Sequence, residues 1–131
     1  MHEREALVAT RLVASPGAID AGTWPDESLV LRIAPDEVLV IGGGTPRISD
    51  PHAIVSPDTG WDGFRLAAPN AAVLMEQTAA WPLPAEGFAQ GMVAGIPAKV
   101  WVGRMEVLVV VPGALADEFE ARLDRVWERD L

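Results

Sequence analysis

The chain has 131 residues, half of them apolar or aromatic and 22% charged, which fits one globular domain with a single core. Its formal charge of −9, with nine scattered arginines and the lone lysine Lys99, excludes a phosphate-neutralising surface and disfavours anionic membranes. It contains no cysteine, so disulfides, thiolate nucleophiles and thiolate metal ligands are excluded.

The opening stretch MHEREALVATRLVASPG carries Glu3 and Glu5 and no uninterrupted apolar run. It does not read as an export signal, and a cytoplasmic location is expected. No window approaches the roughly 20 apolar residues that a membrane-spanning helix needs. His2 is expected at a frayed terminus. Residues 6–14 (ALVATRLVA) suit a strand or a short helix, and Ser15-Pro16-Gly17 reads as a turn that ends them. A polar connector runs to Ser28. Leu29 to Ile33 and Val38 to Ile41 then read as a strand pair around Ala34-Pro35-Asp36-Glu37.

Gly42 to Asp58 reads as a flexible loop, with a short strand expected only at Ala53-Ile54-Val55. GGGTPR has consecutive glycines that let backbone N–H groups approach an anion. It lacks the Lys-Ser/Thr ending of a phosphate loop and the spacing of a dinucleotide fingerprint.

Trp61 to Ala67 alternates as a strand. A helix is expected over Pro69 to Ala80, with Asn70 as cap and Ala72, Leu74, Met75 and Thr78 or Ala79 on the apolar face. Two prolines in Trp81-Pro82-Leu83-Pro84 stop it. Gln90 to Val102 and Met105 to Val111 read as a long hairpin around Gly103-Arg104, and Val107 to Val111 as a central strand covered on both faces. A final helix over Ala114 to Trp127 turns Leu115, Phe119, Leu123 and Val126 or Trp127 inward. The expected fold is α+β: a two-layer sandwich of a mixed or antiparallel sheet with two main helices. Residues 1–131 are expected to form a single domain, with a strand and connector over 1–27 and the core over 28–131.

Five tryptophans in so short a chain suit either an interface or the core. Trp81, Pro82, Leu83 and Pro84 are the candidate partner-interface residues. Lys99 is assigned to a partner contact, the alternative being a charge that protects an edge strand. No metal site and no catalytic residue emerge. His52 with Asp50 and Asp58 reads as exposed loop rather than a carboxylate–imidazole cluster. Ser15, Ser28, Ser49 and Ser56 lack a nucleophile-elbow context.

Three phrases together carry a family resemblance. LRIAPDEVLVIG (Leu31 to Gly42), FRLAAPNAAVL (Phe64 to Leu74) and AGIPAKVWV (Ala94 to Val102), the last leading to LVVVPGALADEFEARL, occur in an order that resembles the sarcosine oxidase gamma subunit family. That family is related to the folate-binding domain of aminomethyltransferases, and the resemblance covers about three-quarters of the chain. It implies a non-catalytic small subunit of a heteromeric N-demethylating oxidase in one-carbon metabolism. The partners would be larger flavoprotein amine oxidase subunits that hold flavin and NAD, with no nucleic acid and no membrane involved.

Departures from the catalytic relatives sharpen the expectation. Their folate-facing aspartate falls at Ser56, leaving Asp58 as a displaced substitute. Their Tyr-Thr-Gly-Glu insertion is reduced to Gly103-Arg104, with Glu106 the nearest acid. Asp58, Arg65 and Glu106 are therefore the only candidate cofactor-binding residues. Buried polar edges of a pterin would go unpaired in such a pocket. Two alternatives stay open: a stand-alone tetrahydrofolate or small-ligand binding module, and an enzyme acting on methylated amines through Asp58 and Arg65.

Overall fold

The computed structural model describes residues 1–130. Along the chain these form strand β1 (Glu3–Ala6), β2 (Ala9–Val13), helix α1 (Pro16–Asp20), β3 (Leu29–Ala34), β4 (Glu37–Ile41) and β5 (Ile54–Pro57). Then follow β6 (Trp61–Ala67), α2 (Ala68–Thr78), β7 (Gly87–Val93), β8 (Ile96–Val102), β9 (Glu106–Pro112), a 3-10 turn (Gly113–Leu115) and α3 (Ala116–Asp130). The strand pairings are antiparallel, in two sheets, so the α+β expectation holds. The chain divides into two compact units: Met1–Ala6 with everything from Gly60 onward, and Leu7–Thr59.

The larger unit is a five-stranded sheet in the order β1-β6-β9-β8-β7, with α2 and α3 on one face. Strand periodicity decides which side chains meet the helices. Phe64 and Leu66 of β6, Val107, Val109 and Val111 of β9, and alternate residues Ile96 to Val102 of β8 form the core with Ala71, Leu74, Met75, Phe119, Leu123 and Val126. Phe64 and Phe119 meet edge-on at 5.0 Å between ring centroids. Each fully buried side chain of this size contributes about 1.5–3 kcal/mol. Leu108 and Val110 are buried too, so β9 is covered on both faces as expected of a central strand.

Helix α2 starts at Ala68 and differs from expectation at its cap. Ala67 occupies the cap position with no side-chain bond; the Ala68 N–H donates instead to the Met105 carbonyl at 3.1 Å. Asn70 lies inside the helix and Ala72 is exposed, with Ala71 taking the buried place. In the same way Leu115 is exposed and Ala116 buried at the start of α3. Asp117 and Glu118 in the first turn of α3 and Arg129 in its last complement the helix dipole.

The expected long strand from Gln90 to Val102 is two strands. Ala94 and Gly95 have φ of 51° and 75°, the two-residue turn whose twist matches a hairpin. The Arg122 guanidinium donates to the Ala94 carbonyl and pins that turn to α3.

The smaller unit is a four-stranded sheet, β3-β4-β2-β5, around a core of Leu12, Ala14, Ile19, Val38 and Val40. The strand pair expected over 29–41 is present as β3 and β4, with an irregularity between Arg32 and Ala34. Residues 6–14 are not one element: they break at Leu7-Val8 into β1 and β2, which belong to different units. Ser15-Pro16-Gly17 is a helix start, not a terminating turn. Ser15 Oγ accepts from the Ala18 N–H, Pro16 takes a first-turn position, and Ile19 is buried.

Gly91 of β7 is required for a close approach. A Cβ there would lie 2.6 Å from Nε1 of Trp81, whose indole donates to the Met92 carbonyl at 2.9 Å. Gly91→Ala is expected to displace the indole and lower stability by about 1–3 kcal/mol. Gly17→Ala, with open space around it, is expected to leave stability unchanged or raise it by about 0.5–1 kcal/mol. Urea denaturation of both variants checks the pair; equal midpoints would contradict the packing account.

Candidate functional site

Of the three candidate cofactor-binding residues, two come together. Arg65 stands near the end of β6 on the sheet face opposite the helices, and Glu106 opens β9 on the same face. The Arg65 guanidinium donates to Glu106 Oε1 at 2.9 Å and to Glu5 Oε1, on the edge strand β1, at 2.7 Å. Three strands therefore contribute to one carboxylate–guanidinium–carboxylate chain. The three-residue connection Gly103-Arg104-Met105 keeps β8 and β9 close, with Gly103 N–H donating to the Glu106 carbonyl at 3.0 Å.

This chain of charges borders an open cleft of about 720 Å³. Leu66, Ala67, Met1 and Met105 supply its apolar lining, and Glu3, Arg65, Asn70 and Glu106 its polar groups. Met105 is 84% exposed at the tip of the turn. Both carboxylates next to Arg65 are already engaged by it. A ligand needing an acidic acceptor would share these carboxylates with Arg65, which engages one oxygen of each.

Asp58 belongs to the other unit, beyond the end of β5. Its backbone N–H donates to the Ala9 carbonyl at 2.9 Å. Ser56 is opposite Arg11 in the β2–β5 pairing. Around His52, the backbone N–H rather than the imidazole reaches Asp50. Among the described residues no group of three or more His, Asp or Glu could hold a metal ion.

The candidate interface segment is split in its surroundings. Trp81 and Leu83 pack partly against the core of their own unit, Pro84 is half-buried, and Pro82 is exposed. Met92, whose carbonyl receives the Trp81 indole N–H, is 52% exposed, with its side chain on the sheet face opposite the helices. Lys99 lies on β8, an interior strand, so the edge-protection reading fails. Its ammonium sits 4.6 Å above the Trp61 ring, an intramolecular cation–π contact. Of the tryptophans, Trp127 is buried and the other four are half-buried.

A second cluster was not anticipated. His2, expected to fray, is bonded on both ring nitrogens: Nε2 meets Glu120 Oε2 at 2.8 Å, and the Trp127 indole N–H donates to Nδ1 at 2.9 Å. Arg4, two residues on and on the same strand face, binds Asp62 at 2.9 Å, Asp117 at 2.8 Å and Glu120 at 3.0 Å. Asp62 is 58 residues away on β6 and the other partners are more than a hundred residues away on α3, separations at which no local pattern advertises a pairing.

No family model and no curated protein matches the sequence. Among solved structures, the chain is similar to a chain of the heterotetrameric sarcosine oxidase from Corynebacterium sp. U-96, in the complex with pyrrole 2-carboxylate. The likeness has a TM-score of 0.75 at 17% identity and covers 98% of this chain and 84% of that one. At this identity the likeness is one of fold. Among the described residues no helix is long and apolar enough to cross a membrane.

Hydrogen bonds from His2 and then Arg4 hold the Glu120 carboxyl below its ordinary value, and the Ser15 and His52 N–H groups do the same for Asp50. A carboxylate depressed by folding adds stability that is complete above its unfolded pKa and lost as pH falls through the folded one. These two carboxylates are therefore expected to make the urea midpoint drop below about pH 4.5. Glu120→Gln combined with Asp50→Asn should flatten that drop. An unchanged acid limb in the double variant would contradict the assignment.

Proposed function

We propose that this chain is a non-catalytic small subunit of a heteromeric, N-demethylating oxidase of the sarcosine oxidase type. The observation that carries the reading is the end-to-end fold likeness to a chain of a heterotetrameric sarcosine oxidase, over 98% of one and 84% of the other. The gamma-like role within such a complex rests on the phrases at Leu31 to Gly42, Phe64 to Leu74 and Ala94 to Val102. Larger flavoprotein amine oxidase subunits are the proposed partners, with flavin and NAD held by them and the complex working in the cytoplasm. This chain contributes surface. The two acids next to Arg65 are engaged within the molecule, which favours docking over ligand chemistry.

The proposed contact region is Trp81 to Pro84 with Met92, where apolar side chains remain partly uncovered. Lys99 contributes next to it on β8. A second reading, a stand-alone tetrahydrofolate or small-ligand binding module, draws its support from the 720 Å³ cleft beside Arg65 and Glu106.

Affinity purification of the tagged, intact chain from its own cells tests the first reading. A flavin-absorbing protein with amine oxidase activity should co-elute in fixed ratio. Pro82→Glu together with Met92→Glu should weaken that association by about tenfold or more, as expected when a central apolar contact is charged. Recovery of the chain alone, at every salt concentration tried, would overturn the proposal.

A further inference from the structure

His2 carries an instruction that neither the fold nor the proposed complex uses. An indole N–H is a donor only, so the nitrogen it meets at 2.9 Å, Nδ1 of His2, must carry a lone pair and no hydrogen. The other ring nitrogen then bears the hydrogen and gives it to Glu120 Oε2 at 2.8 Å. The relay runs one way, Trp127 to His2 to Glu120, through a neutral imidazole of fixed tautomer. The ring is only 10% exposed and packs on Phe64, with centroids 5.7 Å apart. It has little freedom to turn away.

We propose that His2 is a proton-operated latch between the first strand and the last helix, closed while Nδ1 is bare and opened when Nδ1 takes a proton from solvent. Protonation would set two N–H groups against each other across the Trp127 contact, and that bond cannot survive. The Glu120 contact persists, because a carboxylate accepts from an imidazolium at least as well. The proton therefore breaks one specific bond of the relay. Trp127, itself 7% exposed, loses its acceptor.

The charged groups around the ring come from every neighbouring element. Helix α3 presents Glu120 and, through Arg4, Asp117; β1 presents Glu3 and Arg4, whose guanidinium shares the Glu120 carboxylate. From β6 come Asp62, bound to Arg4, and Arg65, and from β9 comes Glu106; the last two line the same cleft as His2. Opening the latch loosens the wall of that cleft formed by Met1, His2 and Glu3. The proposal stands independently of the oxidase reading.

Nitrogen-15 NMR of the intact chain between about pH 8 and pH 5, the range in which histidine titrates, tests it. Trp127→Phe identifies the indole signal by its loss. At the alkaline end, His2 should show hydrogen on Nε2 alone and the Trp127 indole proton should exchange slowly. As the imidazole gains its second proton, the indole signal should shift and its exchange accelerate with the same midpoint. In His2→Gln, whose amide accepts and donates but does not titrate, the indole signal should be independent of pH over that range. Hydrogen on Nδ1 at the alkaline end would overturn the latch. So would an indole that stays protected while His2 charges, or an unaltered pH response in His2→Gln.

Discussion

Strand β9 is the constraint from which the larger unit is built. Five consecutive residues, Val107 to Val111, are buried, and the strand is paired along both sides, with β6 and with β8. A run without polar relief on either face belongs in the middle of a sheet. Its odd-numbered residues then supply the floor for α2 and α3. Its first residue, Glu106, falls beside Arg65 at the end where a binding site would lie. The core thus fixes the register, and the register fixes which charges meet.

At that end the chemistry is already satisfied from within. Arg65 bridges Glu106 and Glu5, with side chains between a third and about half exposed. Pairs so exposed contribute at most about 1 kcal/mol each. Their consequence is recognition rather than stability. A guanidinium shared between two carboxylates offsets their charge, and a ligand at this end competes with it for both acids. The short β8–β9 connection contributes Met105 to the lining of the cleft.

The sequence was most informative where periodicity and burial coincide. Trp61 to Ala67 and the β3–β4 pair stood out through alternation and turn residues, and the buried stripe of α3 was readable apart from its first member. Long-range pairings were not readable. The His2 and Arg4 contacts depend on α3 lying across β1, which no window of sequence encodes. The break at Ala94-Gly95 was missed because Ala rarely adopts positive φ and the flanking residues suit one continuous strand. Ser15 was read as a turn residue although the same side chain caps helices; only the Ala18 bond separates the two uses. The Lys99 ammonium meets at least Trp61 of its own chain, a contact 38 positions away that no local pattern signals.

We propose that the Arg65 ion pairs disfavour a pterin at this end of the sheet. Titrating tetrahydrofolate into the intact chain while following tryptophan fluorescence tests it most directly. The account predicts no saturable quenching up to about millimolar ligand, a bound on affinity of about −4 kcal/mol. Saturable quenching in the micromolar range, abolished by Glu106→Gln, would contradict it.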